Sequence, residues 1–303
     1  MKSVFILLAA RNGEAFIGEQ IQSILNQTII PKKIIVNIDK STDKTLNVVN
    51  SYKKKYKEIE IFSSSNFYGS AAANFIYLLS NVNFSNCDYI AFADQDDIWK
   101  KDRLHRSFKY LNNNYDGYSS NVEAFWVGGK SKIIKKNQPQ KKLDFLFESA
   151  GPGCTFVLSK KLALSLQQFL KTGKVGSFDN YHDWLIYAFA RCNGFNWFID
   201  SYTGINYRQH GSNVFGANVG LGAFVSRVNR VLIGEGFDFA FRLMKVLKIK
   251  DEFIESLFPI SRINLLRLAF HATHCRRRIR DQVYFFFACL LLAIILPSKL
   301  NTN

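Results

Sequence analysis

Three carboxylates crowd into four residues at Asp94-Gln95-Asp96-Asp97, directly after the apolar run YIAFA. At the polar end of a buried strand such groups repel one another, and they cost stability unless a cation or hydrogen-bond donors compensate. Hard divalent ions such as Mg²⁺ and Mn²⁺ take oxygen ligands, typically one or two carboxylates together with substrate phosphates. A carboxylate pair at i and i+2 therefore suits a metal–diphosphate unit. An isolated D-x-D is also an ordinary acidic turn or helix cap; the place at a strand end is what raises this one above chance recurrence. His271, His274 and Cys275 have zinc-like helical spacing, but they supply only three donors, stand beside Arg276-Arg277-Arg278 and have no fourth ligand in view.

Holding a carboxylate cluster at a strand end takes a sheet, and the hydrophobic pattern provides one. Apolar runs of strand length occupy residues 4–9, 34–38, 59–62 and 89–93. Helical spacing is predicted between them: over 14–25 with Ile17, Ile21, Ile24 and Leu25 on one face, over 43–56 with Leu46, Val49 and Tyr56 inward, and over 69–80. Strand and helix alternating in this way give right-handed βαβ units and a mostly parallel sheet. Ligands bind at the carboxyl ends of such strands, which directs attention to residues 10–13, 39–43 and 94–97. Residues 115–152 turn polar and loop-like, with short strands expected at 123–127 and 132–134. Further strands are expected at 154–158, 197–200 and 205–207, and helices at 160–170 and 183–192. Beyond residue 222 the segments 222–248 and 251–280 are basic and helical, and 283–296 is continuously apolar.

The chain has 303 residues, 48% of them apolar, so it can bury a real core; a disordered tail, a disulfide-stapled mini-protein and a collagen-like repeat are excluded. Forty Lys and Arg against 24 Asp and Glu leave a formal charge of +16, which calls for an anionic partner: nucleic acid, anionic lipid or a phosphorylated substrate. Cys87, Cys154, Cys192, Cys275 and Cys289 are scattered and odd in number. Reduced thiols in a cytosolic compartment are the plain reading. The first apolar run, VFILLAA, is short and meets Arg11-Asn12-Gly13-Glu14, so it reads as a buried strand rather than a signal peptide.

ADQDDIW resembles the signature of the inverting family-2 glycosyltransferases of GT-A fold, especially the rhamnosyltransferase-like branch that builds bacterial cell-surface polysaccharides such as O-antigen or capsule. Other segments match in order: Leu8 to Gly13 with EQIQSILNQT, Ser41-Thr42-Asp43, Asn66 to Gly69, Gly151 to Thr155, His182-Asp183-Trp184, and Tyr207 to Asn213. The resemblance runs from about residue 3 to 216. It departs at Ala10-Arg11, where the family has Thr-Tyr, and at Ile38-Asp39-Lys40, where it has Asp-Asp-Gly; Arg11 and Lys40 either help neutralise a diphosphate or are exposed charges.

The resemblance implies a GT-A-like α/β domain over residues 1–220, a mixed, mostly parallel sheet flanked by helices, with a basic helical extension over 221–303. It implies sugar transfer from a dTDP-, UDP- or GDP-sugar to a glycan or lipid-linked acceptor. Ala10, Asn12, Asp39 and Asp94 would line base and ribose, and Arg208 the diphosphate. Asp96, with Asp94 and His210, would hold Mg²⁺ or Mn²⁺. Asp183, at the start of an apolar helix, would be the one general base of an inverting transfer; His182 either orients it or is a loop histidine. Asp43 reads as a helix cap, Asp97 as a cap, Trp99 as core or a loop anchor, and Gly211 and Gly216 as hinges. Arg276–Arg280 before an apolar segment too short to span a bilayer fits peripheral attachment at the cytoplasmic membrane face, against a helix packed on the domain or on a second subunit. The rival readings are a sugar nucleotidyltransferase, for which AARNGEAF is a poor phosphate loop, and a basic nucleic-acid binder, for which no recognition motif is present.

Overall fold

The computed structural model describes residues 2–63, 66–173, 181–210, 234–258 and 260–295. These cluster into two compact units, one of residues 1–137 and 150–214, the other of 138–149 and 215–303. In the first unit the apolar runs become β1 (Val4–Ala10), β2 (Lys33–Ile38), β3 (Ile59–Ser63) and β4 (Tyr89–Asp94), paired parallel in the order β3-β2-β1-β4. Every residue of β1 is buried, as expected for a parallel strand covered on both faces. The crossovers are α1 (Ile17–Leu25), α2 (Thr45–Lys53) and α3 (Ala71–Asn81). Ile17, Ile21 and Ile24 are fully buried, one helical face against the sheet. α1 starts three residues later than its apolar spacing suggested, α2 is shorter at both ends, and Leu46, within α2, is exposed rather than inward.

Register gathers the strand ends. Ala9 lies beside Asp94 and Ala10 beside Ile38, so the loops after β1, β2 and β4 open at one edge. The sheet continues antiparallel from β4 to β8 (Val157–Ser159) and on to β6 (Gly117–Trp126), which runs parallel to β9 (Trp197–Gln209). β5 (Ile98–Trp99) pairs with β9, and β7 (Ser131–Ile134) with β6. α4 (Arg103–Leu111), α6 (Lys160–Leu170) and α7 (His182–Cys192) complete the unit, with a 3-10 turn at Gly153–Thr155 where a strand was expected from 154.

The short strand expected at 123–127 is the second half of a ten-residue strand, β6, whose first six residues, which read as loop, are buried. Its polar residues conceal it: Ser119 accepts from the Trp197 indole at 3.0 Å and donates to the Ala150 carbonyl at 3.0 Å. Asn121 donates to Asn137 and to the Ser201 carbonyl and accepts from the Lys136 amide. Inside the sheet these groups cost little because each is paired. β9 likewise joins two expected short strands into one, the register shifting beside Asn121. α4 had no counterpart in the sequence reading, although Leu104, Phe108 and Leu111 form its buried stripe.

The second unit contains α5 (Asp144–Phe147), α8 (Glu235–Leu247), α9 (Glu252–Ser256), α10 (Arg262–Phe270), α11 (Ala272–Cys275) and α12 (Ile279–Ile295). The apolar segment falls in α12, which packs on α10. At 17 residues α12 is about 25 Å long, and no described helix is long and apolar enough to cross a membrane. The hinges expected at Gly211 and Gly216 lie outside the described residues. Arg277 organises the unit from inside: it pairs with Asp144 at 3.0 Å and Glu148 at 3.3 Å and donates to the Ser149 carbonyl at 2.6 Å, and both Arg277 and Asp144 side chains are fully buried. Breaking a buried pair from one side strands the other charge, so Arg277→Ala is expected to destabilise this unit by about 3–5 kcal/mol. A denaturant melt followed by circular dichroism should show the earlier transition; an unchanged midpoint would count against the pair as an anchor.

Candidate active site

The loop after β1 is tied to both neighbouring loops. Asn12 holds φ +47°, a left-handed backbone that Asn tolerates better than most residues. Its N–H donates to Ser41 Oγ at 3.0 Å and its amide oxygen accepts from the Thr42 N–H at 2.8 Å. Gly13 N–H donates to Thr45 Oγ1 at 2.7 Å. On the other side Gln95 spans Arg11, accepting from its N–H at 2.7 Å and donating to its carbonyl at 2.9 Å. Gln95 had no assigned role, yet a Cβ at residue 13 would stand 2.3 Å from its Oε1, so a side chain there would have to push the Gln95 amide off Arg11.

Ala10 ends β1 buried, and its carbonyl accepts from the Asp39 N–H at 2.8 Å. The Asp39 carboxylate, 1% exposed, accepts from the N–H groups of Lys40 (2.7 Å), Tyr68 (3.0 Å) and Gly69 (3.1 Å). It organises the Asn66–Gly69 turn at the rim of the site. Asp43 accepts from the Thr45 N–H at 3.0 Å and the Glu14 N–H at 2.9 Å. Burial pushes its carboxyl up, but the bond from the Thr45 hydroxyl together with those from the Glu14 and Thr45 N–H groups outweighs it and holds it below the usual range; Asp43 stands one residue before Lys44, which is the cap position of α2. Arg11 and Lys40 are exposed, the Arg11 guanidinium 5.2 Å from the centre of the Phe67 ring.

After β4 the three aspartates diverge. Withdrawal from water, then the charges of Asp96 and Asp183, push the Asp94 carboxyl up to about 7. Asp96 meets His210 Nε2 at 2.8 Å, and the His210 ring stacks on Phe16 at 5.0 Å. Asp97 is fully buried rather than a cap for the next segment: Oδ1 accepts from the Arg208 N–H at 3.2 Å, and Oδ2 has no hydrogen-bond partner among the described residues. Its carboxyl lies well above the usual range, first through burial, then through Asp94 and Asp96. Ligand atoms of Asp94, Asp97 and Cys154 fall within 4.8 Å of one another.

Two arginines support this acidic loop. Arg103, 1% exposed, stacks on Trp99 with 3.5 Å between guanidinium and ring centre, and donates to the Cys154 carbonyl at 2.6 Å. Burial pushes it down to about 10, so it stays charged at neutral pH, and Asp97 is among the groups that favour the charge. Arg208 donates to the Asp96 carbonyl at 2.9 Å, pairs with Glu19, and lies between the Phe16 and Phe125 rings. It braces the acidic loop at the end of β9. A basic residue nine positions past the end of β4 reads as surface from sequence, which is why Arg103 escaped notice.

Asp183 stands in the first turn of α7, where its Oδ1 accepts from the Trp184 N–H at 2.8 Å. A Cβ built on Gly153 would stand 3.3 Å from Asp183 Cβ, and the next residue, Cys154, has its Sγ within 4.8 Å of Asp94 and Asp97, so Asp183 neighbours the strand-end cluster. Of the residues read as metal ligands, Asp94 is grouped with Asp97 and Cys154, while Asp96 and His210 pair with each other rather than joining that group; its two carboxylates, one of them with a buried oxygen that has no hydrogen-bond partner among the described residues, fit a hard divalent ion. Among the described residues no such group of donors includes His271, His274 and Cys275.

A family model described as glycosyl transferase family 2 matches residues 5–161. The chain is 35% identical over 289 residues to dTDP-rhamnosyl transferase RfbG of Shigella flexneri, covering 94% of this chain and 99% of that protein. It is 25% identical over 199 residues to the UDP-Gal:alpha-D-GlcNAc-diphosphoundecaprenol beta-1,3-galactosyltransferase of Escherichia coli, covering 64% of this chain and 69% of that one. Among solved structures, S. aureus TarS 1–349 in complex with UDP-GlcNAc superposes with TM-score 0.54 at 13% identity, covering 97% of this chain and 90% of that one. The mannosyltransferase PcManGT from Pyrobaculum calidifontis, in complex with GDP-Man and Mn²⁺, does so with TM-score 0.50 at 14% identity, covering 96% and 87%. At those identities the structures speak for the fold alone.

Asp39→Ala is expected to leave the N–H groups of Tyr68 and Gly69 without their acceptor. Hydrogen exchange should accelerate at residues 66–70 while the β1 and β4 amides stay protected. Unchanged protection at Gly69 would show that Asp39 does not hold this turn.

Proposed function

The chain belongs to glycosyltransferase family 2, and from that premise we propose that it transfers rhamnose from a dTDP-linked donor, with inversion, using Asp183 as general base. It is a glycosyltransferase of the GT-A fold that moves a sugar from a nucleoside-diphosphate donor to a glycan or lipid-linked acceptor in polysaccharide biosynthesis. The 35% identity to a dTDP-rhamnosyl transferase over nearly the whole of both chains supports the choice of donor. One observation supports the assignment of roles: consecutive residues of one turn touch both groups, Gly153 lying against Asp183 and Cys154 against Asp94 and Asp97, so a carboxylate on α7 neighbours the acidic loop after β4.

In this reading the loops after β1 and β2 hold the nucleoside, through Ala10, Asn12, Asp39 and the ribose-facing side of Asp94. Arg208 sits at the phosphate end, where its guanidinium offsets the acidic loop. Asp94, Asp96 and His210 would hold the divalent ion. Bound there, Mg²⁺ or Mn²⁺ supplies Lewis-acid stabilisation for the departing diphosphate. Asp183 takes the proton from the acceptor hydroxyl as that oxygen forms its bond to the anomeric carbon and the bond to the diphosphate oxygen breaks on the opposite face. A single base with in-line attack inverts the anomeric centre.

The second unit supports a peripheral place at the cytoplasmic membrane face, where a lipid-linked acceptor would lie. Ile263, Phe270, Ile279, Phe287 and Ile294 are exposed large apolar side chains on or beside α10 and α12. The exposed charged residues among them are Arg262, Arg267, Arg278 and Arg280. Apolar side chains with basic flanks suit an interfacial helix on anionic lipid.

Asp96→Asn should keep the fold and lose most Mn²⁺-dependent donor binding, read as the ligand-induced rise in melting temperature; an undiminished rise removes Asp96 from the metal site. Asp183→Asn should bind donor and lower kcat by about 10²-fold or more. Collapse of donor affinity with turnover preserved would move Asp183 to the donor site. Deleting residues 282–303 should abolish flotation with anionic liposomes while turnover of a short soluble acceptor persists; equal flotation of both forms would remove the anchor.

A further inference from the structure

Gly151 and Gly153 are glycines for different reasons. Gly151 holds φ +145°, a backbone that side chains rarely adopt. Gly153 has no such constraint, and what fixes it is space. A Cβ there would stand 2.3 Å from His182 Nε2, 2.9 Å from His182 Cε1 and 3.3 Å from Asp183 Cβ. Contacts that close do not occur in packed interiors, so any side chain at residue 153 must displace one of the two partners.

The turn that carries Gly153 is the firmer of the two. Pro152 opens it, and the Pro152 carbonyl accepts from both the N–H and the Oγ1 of Thr155, at 2.9 and 2.7 Å. The Gly153 carbonyl accepts from the Phe156 N–H at 2.9 Å, and buried Arg103 holds the Cys154 carbonyl from behind. His182, by contrast, is placed by shape. Its ring stacks on Phe75 at 4.7 Å, and Nε2 is buried with no hydrogen-bond partner among the described residues. Burial pushes the ring's pKa down, so it is neutral and carries no charge that would anchor it. A Cβ at residue 153 therefore pushes on His182 and, through the first turn of α7, on Asp183.

We propose that Gly153 and the His182 ring form a steric seat that sets the position of the Asp183 carboxylate, making Gly153 a positioning residue of the transfer reaction. The proposal rests on the reading of Asp183 as general base. The seat also joins the two halves of the chemistry: the 3-10 turn presents Cys154 to Asp94 and Asp97 on one side and Gly153 to His182 on the other. Displacement of a reacting group by about 1 Å is enough to cost roughly 10² in rate without loss of binding.

The test is a cycle of Gly153→Ala, His182→Ala and the double variant, with kcat, donor KM and melting temperature measured for each. Gly153→Ala is expected to lower kcat by about 10²-fold at little-changed donor KM. In the His182→Ala background the added methyl has room, and the same change should cost less than about threefold. Wild-type kcat in Gly153→Ala, an equal loss in both backgrounds, or a loss carried by donor KM alone would each overturn the seat. Should Gly153→Ala fail to fold, a melting transition regained in the double variant supports the seat and its absence overturns it. Full turnover in Asp183→Asn would instead overturn the base reading, a result read independently of whether His182→Ala relieves Gly153→Ala.

Discussion

Three carboxylates packed at the end of one buried strand are the constraint around which the first unit is arranged. Asp97 has no access to water, and Asp94 is pushed up to about 7 by burial and by its neighbours. A buried charge without compensation is costly, and here compensation comes from several directions. Arg103 stacks on Trp99 within the core and keeps its charge near Asp97. The Arg208 N–H reaches Asp97, its guanidinium grips the Asp96 carbonyl, and His210 meets Asp96. β9, which carries Arg208 and leads into His210, completes the sheet beyond the parallel half together with β6. The repulsion that remains is what a divalent cation would relieve, so the same crowding that costs stability prepares a metal–diphosphate site.

The loops around that cluster are held by polar contacts aimed at backbone rather than by apolar packing. Gln95 clasps Arg11, Asn12 bridges Ser41 and Thr42, and Asp39 gathers the amides of Tyr68 and Gly69. Hydrogen bonds of this kind fix direction as well as distance, and a site that must present carboxylates, amides and a base to one ligand needs both. Where close packing sets the geometry instead, the glycines show it: Gly13 beneath Gln95 and Gly153 beneath His182 are filled to contact by their neighbours.

The second unit has a different physical character. Its interior is tied by Arg277 to Asp144, Glu148 and the Ser149 carbonyl, while α10 and α12 leave large apolar side chains exposed among arginines. The chain's positive charge thus has two uses, compensation of buried carboxylates in both units and surface charge on the second.

Much of the fold was legible in the sequence because parallel strands buried on both faces must be continuously apolar. VFILLAA, KIIVNI and YIAFAD declare themselves, and the helices between them carry their buried residues at 3.6-residue spacing. The acidic cluster was legible as carboxylates at a strand end, whereas Asp183 and His210 stood out only through the resemblance, since aspartate at a helix start is ordinary capping. The first half of β6 was not, because Ser119, Ser120 and Asn121 look solvent-facing until partners distant in sequence satisfy them. Nor was the role of Arg103, whose charge reads as surface on a basic helix and is placed in the core only by Trp99 and the Cys154 carbonyl. Local pattern reports which residues want burial. Which polar group is paired, which glycine has no room and which charge answers which are decided by residues far apart in the chain, and so only by the tertiary structure.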